Sequence, residues 1–130
     1  MNFYLGVWNS RKAISDAEAA GQYPKLSDDK SARPQFDVHV YAFYSRLTAL
    51  YPEIDMLSDD ELDACPWACS LEHSGGHVVM AIQPEQADKM LPQVVTLAGE
   101  HELVCFNPQA GRVYLPPSLS GKVRTAPASG

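Results

Sequence analysis

Asn2–Trp8 reads NFYLGVW, and the fold turns on it. The run is short, aromatic and branched, the composition of a β-strand. A strand with one wet face should alternate apolar and polar residues. This one does not. Phe3, Leu5 and Val7 point one way, Tyr4 and Trp8 the other. His77–Gln83 (HVVMAIQ) sets Val78, Met80 and Ile82 against Val79 and Ala81, and Glu102–Phe106 (ELVCF) sets Leu103 and Cys105 against Val104 and Phe106. Three strands that are apolar on both sides predict a sheet covered on both faces. The candidates for the second cover are the acidic middle of the chain, the C-terminal tail, a second copy of the chain, or a partner.

The remaining elements follow from helix and turn signals. Ser15-Asp16-Ala17-Glu18 has the form of a capping box, with Ala17, Ala19 and Ala20 behind it. Gly21 and Pro24 should end that helix, leaving Lys25–Arg33 as a loop. Pro34 can open a second helix, in which Phe36, Val40, Tyr44, Leu47 and Tyr51 recur at spacings of three or four beside Phe43 and Leu50. Pro52 stops it. Ser58-Asp59-Asp60-Glu61 is another capping box and predicts a short acidic helix. Trp67–Glu72 reads as the second strand, Ser74-Gly75-Gly76 as a turn and His77–Gln83 as the third strand. Pro84 opens the last helix, with Ala87, Met90, Leu91, Val94 and Ala98 on one face and Gly99 suited to the left-handed position after its end. Glu102–Phe106 and Arg112–Leu115 are the fourth and fifth strands.

The order is β-α-α-β-β-α-β-β. It predicts an α+β fold: a ferredoxin-like βαββαβ sheet with an extra helix in the N-terminal half and a fifth strand at the C-terminal end. Right-handed crossovers would centre strands one and three and put the helices on one face. Residues 1–116 are expected to form a single domain, with 117–130 as a loose tail. At 130 residues, 45% apolar and 20% charged, the chain can bury a core of ordinary size. No run approaches the roughly 20 apolar residues that span a bilayer. No basic stretch precedes an apolar one at the start, so no export signal is read and a cytoplasmic location is expected. Three cysteines, Cys65, Cys69 and Cys105, make an odd count and read as reduced thiols.

Charge narrows the partners. The net charge is −6, but Leu47–Glu102 alone carries eleven acidic residues and one basic residue, Lys89, a net of −10. Nucleic acid and anionic membrane surfaces need a basic footprint, so both are set aside. A basic protein is the partner this field would capture. Glu53, Asp55, Asp59, Asp60, Glu61 and Asp63 are the candidate contact residues, with Trp67 as an exposed aromatic anchor.

Other chemistry is less well supported. Cys65, Cys69, His73 and His77 are of zinc-binding type, but a spacing of four residues throughout is not the two close pairs that a zinc site needs. The acidic run lacks the spacing of a calcium loop. The carboxylates near Cys65 disfavour a reactive thiolate. No Walker loop, Gly-x-Gly-x-x-Gly, Gly-x-Ser-x-Gly or His-Glu-x-x-His occurs. No catalytic residue, metal or cofactor is assigned. A small enzyme or ligand-binding domain, with His73, His77 or His101 in a pocket between sheet and helices, is the alternative. A homodimer sealed through the second sheet face is a third reading.

Trp8, Ser15–Ala20, Tyr51-Pro52, Pro66-Trp67-Ala68, Val78–Ile82 and His101-x-Leu103-Val104-Cys105-Phe106-Asn107-Pro108-Gln109 together resemble a group of small uncharacterised bacterial proteins. Some of these look like immunity proteins encoded near secreted toxins. The likeness covers most of residues 3–116. The group is expected to carry Asp where this chain has Asn107. The resemblance implies a protein that neutralises a cognate toxin by stoichiometric occlusion of its active cleft or an essential surface.

Overall fold

The computed structural model describes residues 2–10, 12–28, 37–62, 64–73, 76–117 and 119. Among them are four α-helices and one five-stranded antiparallel sheet, an α+β arrangement. The elements run β1 (Phe3–Trp8), α1 (Asp16–Asp28), α2 (Val38–Leu50), α3 (Asp59–Leu62), β2 (Glu72–His73), β3 (His77–Ile82), α4 (Ala87–Glu100), β4 (Val104–Asn107) and β5 (Arg112–Tyr114). The strand order is β2-β3-β1-β4-β5. β1 lies at the centre, paired with β3 from Phe3↔Ile82 to Trp8↔His77 and with β4 from Gly6↔Phe106 to Trp8↔Val104.

Beyond Gly6, β4 no longer reaches β1, and the Gln109 side chain takes its place. Its Oε1 accepts from the Tyr4 N–H at 2.6 Å and its Nε2 donates to the Tyr4 carbonyl at 2.8 Å. Asn107 Oδ1 holds that glutamine by accepting from its Nε2 and its backbone N–H. The Asn107-Pro108-Gln109 segment therefore extends the ladder.

Both sheet faces are covered at their centres, as the non-alternating strands predict, with Tyr4 at the start of β1 left exposed. On one face Leu5, Val7, Val78, Met80, Ile82 and Cys105 meet Val40, Phe43 and Leu47 of α2 and Met90, Val94, Leu97 and Ala98 of α4. On the other, Trp8, Val104 and Phe106 meet Ile14, Ala19 and Tyr23 from α1 and the chain just before it. The helices thus lie on both faces, contrary to the one-sided cover expected. The second cover is α1, joined by Leu119, which packs into the same cluster. Leu119 belongs to the segment expected to be a loose tail; residues 118 and 120–130 lie outside the described residues.

Several boundaries differ for identifiable reasons. The α1 capping box forms fully: Ser15 N–H donates to Glu18 Oε1 at 2.8 Å and Glu18 N–H to Ser15 Oγ at 3.0 Å. The helix then passes Gly21 and Pro24 and runs to Asp28, so residues 25–28 are helical instead of loop. An interior proline costs roughly 3 kcal/mol; burial of Ala19 and Tyr23 against the sheet opposes that cost. Residues 29–33 and the proposed helix opening at Pro34, with Phe36, lie outside the described residues. The N-cap of α2 is Asp37, whose Oδ1 accepts from the N–H groups of His39 and Val40. Burial pushes the Asp37 pKa up, but hydrogen bonds from Val40, Asn9 and His39 outweigh it and hold the group below its ordinary value.

The second strand is shorter than Trp67–Glu72. Trp67 makes one bridge to Ile82, the chain leaves the sheet, and only Glu72–His73 pairs again. At the far end, α4 runs through Gly99 to Glu100. The left-handed residue is Glu102, with φ of 64°. The turn still closes in the usual way, with Leu103 N–H donating to the Ala98 carbonyl and Glu102 N–H to that of Gly99. Gly99 instead allows close approach, since a Cβ there would sit 3.3 Å from Pro117 Cδ.

Gly6 is the tightest point between sheet and α1. A Cβ on it would lie 2.7 Å from Tyr23 Cε1, and that ring is backed by Phe106 at 5.5 Å between centroids. Gly6→Ala should cost about 1–3 kcal/mol through overpacking, read as a lower urea midpoint. In a Tyr23→Ala background the same change should be nearly neutral; an equal cost in both backgrounds would place the strain elsewhere.

Candidate functional site

The candidate contact residues fall in the strap that joins α2 to β2. Its shape is set by its own polar groups. After Tyr51 and Pro52 the chain makes a 3-10 turn at Ile54–Met56, and then α3. Glu61 closes α3 by accepting from the Ser58 N–H at 2.9 Å.

Glu53 is half-buried. One carboxylate oxygen accepts from the Tyr44 hydroxyl on α2 and the other from the Leu71 N–H at 2.9 Å. Leu71 immediately precedes the edge strand β2, and this carboxylate takes up its N–H. Asp55 Oδ2 accepts from the Ser70 hydroxyl at 3.2 Å. Two clasps therefore tie the strap to the segment preceding β2.

The sequence-predicted residues thus divide. Glu53, Asp55 and Glu61 serve the strap's own geometry; Asp55, Asp59 and Asp60 are exposed. Asp63 lies outside the described residues. Trp67 does not anchor a partner: it is fully buried, its indole N–H donates to the Tyr51 carbonyl at 2.9 Å, and its ring meets that of Tyr51 edge-on. The bridge to Ile82 turns its side chain into the core. The exposed apolar groups nearby are Met56, 77% exposed, and Leu50, 52% exposed. Sequence reasoning missed both. Leu50 falls within the periodic stripe of α2 and reads as core, and Met56 had no pattern to mark it.

The three histidines do not converge. His73 pairs with Val78 on the α2 face, where its ring stacks on Tyr44 at 4.1 Å. His77 pairs with Trp8 on the α1 face and meets Glu72 Oε2 at 3.1 Å. His101 follows α4, edge-on to Phe43. His73 and His77 therefore lie on opposite faces of the sheet. Among the described residues no group of three or more His, Cys, Asp and Glu side chains could hold a metal ion. Cys65 and Cys105 are buried and Cys69 is exposed. Burial alone pushes the Cys105 thiol up to about 12.

No helix among the described residues is long and apolar enough to cross a membrane. No protein-family model, curated protein or solved structure matches the chain.

Burial, then the hydrogen bond to Glu53 and its charge, push the Tyr44 phenol from its ordinary 10.0 up to about 12. An unfolded chain ionises this tyrosine first, so the folded state holds more protons between the two values. The stabilisation is intact below pH 10 and is lost as pH rises towards 12. Tyr44→Phe should flatten that decline in urea unfolding. At neutral pH it should cost about 1.5–3 kcal/mol, the range for hydrogen bonds to charged groups.

Proposed function

We propose that this chain is a protein-binding module that docks a basic partner on the strap, and that it acts in the cytoplasm as an immunity protein, neutralising a cognate toxin by stoichiometric occlusion. The observation that carries this reading is the division of labour among the strap's side chains. Glu53, Asp55 and Glu61 fix its shape, leaving Asp59, Asp60 and the side chain of Met56 in solvent. A surface already held in one conformation loses little freedom on binding. Carboxylates around an exposed apolar group steer a cationic partner and then give it something to desolvate. The resemblance to toxin-immunity proteins supplies the biological class.

A ferredoxin-like reading of the scaffold belongs with this proposal. The order β2-β3-β1-β4 is what two interlocked β-α-β crossovers produce, and it supports a βαββαβ unit with β5 added. The placement of α1 on the opposite face is the departure from that unit.

The test is co-expression, in a sensitive host, with each protein encoded by the genes flanking its own, one of which should arrest growth when expressed alone. Equimolar chain should restore growth. Asp59→Lys with Asp60→Lys should slow association about tenfold at low salt and reduce its salt dependence, by loss of steering. Asp59→Asn with Asp60→Asn should fall between, which separates repulsion from lost attraction. No protection by the unaltered chain, or an association rate that ignores both pairs, overturns the proposal.

A further inference from the structure

Two shallow depressions, each of about 160 Å³, share Leu50 at the C-terminal end of α2. One is mainly apolar, bounded by Pro52, Leu57, Ala64 and Pro66, with Glu61 at its lip. The other lies between α2 and α4 and is mainly polar, lined by Arg46, Gln93, Thr96, Leu97 and Glu100. Leu50 stands half-exposed as the ridge between them. Each depression is on the scale of the roughly 150 Å³ cavity that takes a benzene ring. The first is therefore large enough to seat one apolar side chain, and the second suits the polar or cationic end of a neighbouring one.

An exposed leucine between two such seats is one half of a knob-into-hole contact. The matching half is a helix whose residues at i, i+3, i+4 and i+7 surround the knob, with the outer ones dropping into the depressions. Charge selects the kind of helix. Each depression has a glutamate at its edge, Arg46 is the one cation among the lining residues, and Leu47–Glu102 carries a net charge of −10.

We infer that Leu50 and its two flanking depressions dock a short basic amphipathic helix of a protein partner, with apolar side chains around Leu50 and Lys or Arg against Glu61 and Glu100. The inference rests on the docking reading above and narrows it to one seat and one occupant. The strap's exposed aspartates then act in approach, and the Leu50 ridge acts in the bound complex.

The probe is a synthetic 14-residue Lys/Leu helix, titrated into the isotope-labelled full chain and followed by amide chemical shifts. A Lys/Ser peptide of equal charge is the control for unspecific attraction. Shifts should centre on Leu50, Leu57, Ala64, Thr96 and Leu97. Leu50→Ser should weaken the Lys/Leu peptide about tenfold, and the Lys/Ser peptide should bind at least about tenfold more weakly, as expected for an apolar anchor worth about 1.4 kcal/mol. Shifts confined to Asp55, Asp59 and Asp60, or equal binding of both peptides, overturn the inference. Growth protection separates it from the immunity reading. A chain that seats the peptide at Leu50 but fails to protect retains the seat and loses the toxin. A Leu50→Ser chain that protects as well as the unaltered one retains the toxin and loses the seat.

Discussion

The structure depends on β1 being buried on both faces from Leu5 to Trp8. It lies in the middle of the sheet, hydrogen-bonded on both edges, and its side chains are apolar above and below. Leu5 and Val7 need a cover on one side, Trp8 on the other. A sheet with helices on one face cannot provide both. The chain therefore places α2 and α4 on one side and α1 on the other. Burial of apolar area is the largest favourable contribution in a domain of this size, so local preferences give way to it. Pro24 is carried inside α1 for that reason, and Gly6 gives up a side chain so that the Tyr23 ring can lie against the strand.

The same economy governs the polar groups. β1 outruns β4, and an amide side chain, Gln109, completes its hydrogen bonds. β2 is an edge strand, and the Glu53 carboxylate meets the N–H of Leu71 just before it. Val113 in the edge strand β5 donates to Asp16 at the start of α1, at 2.8 Å. A filled outward-facing N–H is one less handle for a second sheet to grip. In each case a side chain distant in sequence replaces a missing strand neighbour, because an unmet N–H away from water costs about as much as a lost hydrogen bond.

These substitutions explain why an acidic segment read from sequence divides so unevenly. Glu53 and Asp55 are two residues apart and chemically alike, yet one holds the strap to α2 while the other stays exposed with a single surface hydroxyl for a partner. Net charge reports the field that a passing molecule meets. It cannot report which carboxylates are already engaged. Trp67 shows the converse: a large amphipathic ring is equally suited to an interface and to a core, and its surroundings decide.

Sequence by itself determined the two-sided burial of the central strands, the mixed α+β class, the five strands in their chain order, the capped starts of α1 and α3, and the concentration of negative charge between Leu47 and Glu102. Each is a property of neighbours within a few residues, or of simple counting. Tertiary structure alone decided that α1 covers the second face, that Leu119 joins it, that Trp67 is core while Leu50 is not, and that Glu53 is a clasp. Those outcomes depend on which surface arrives opposite a given side chain, and residues brought together across 18 or 105 positions leave no periodic trace in the chain.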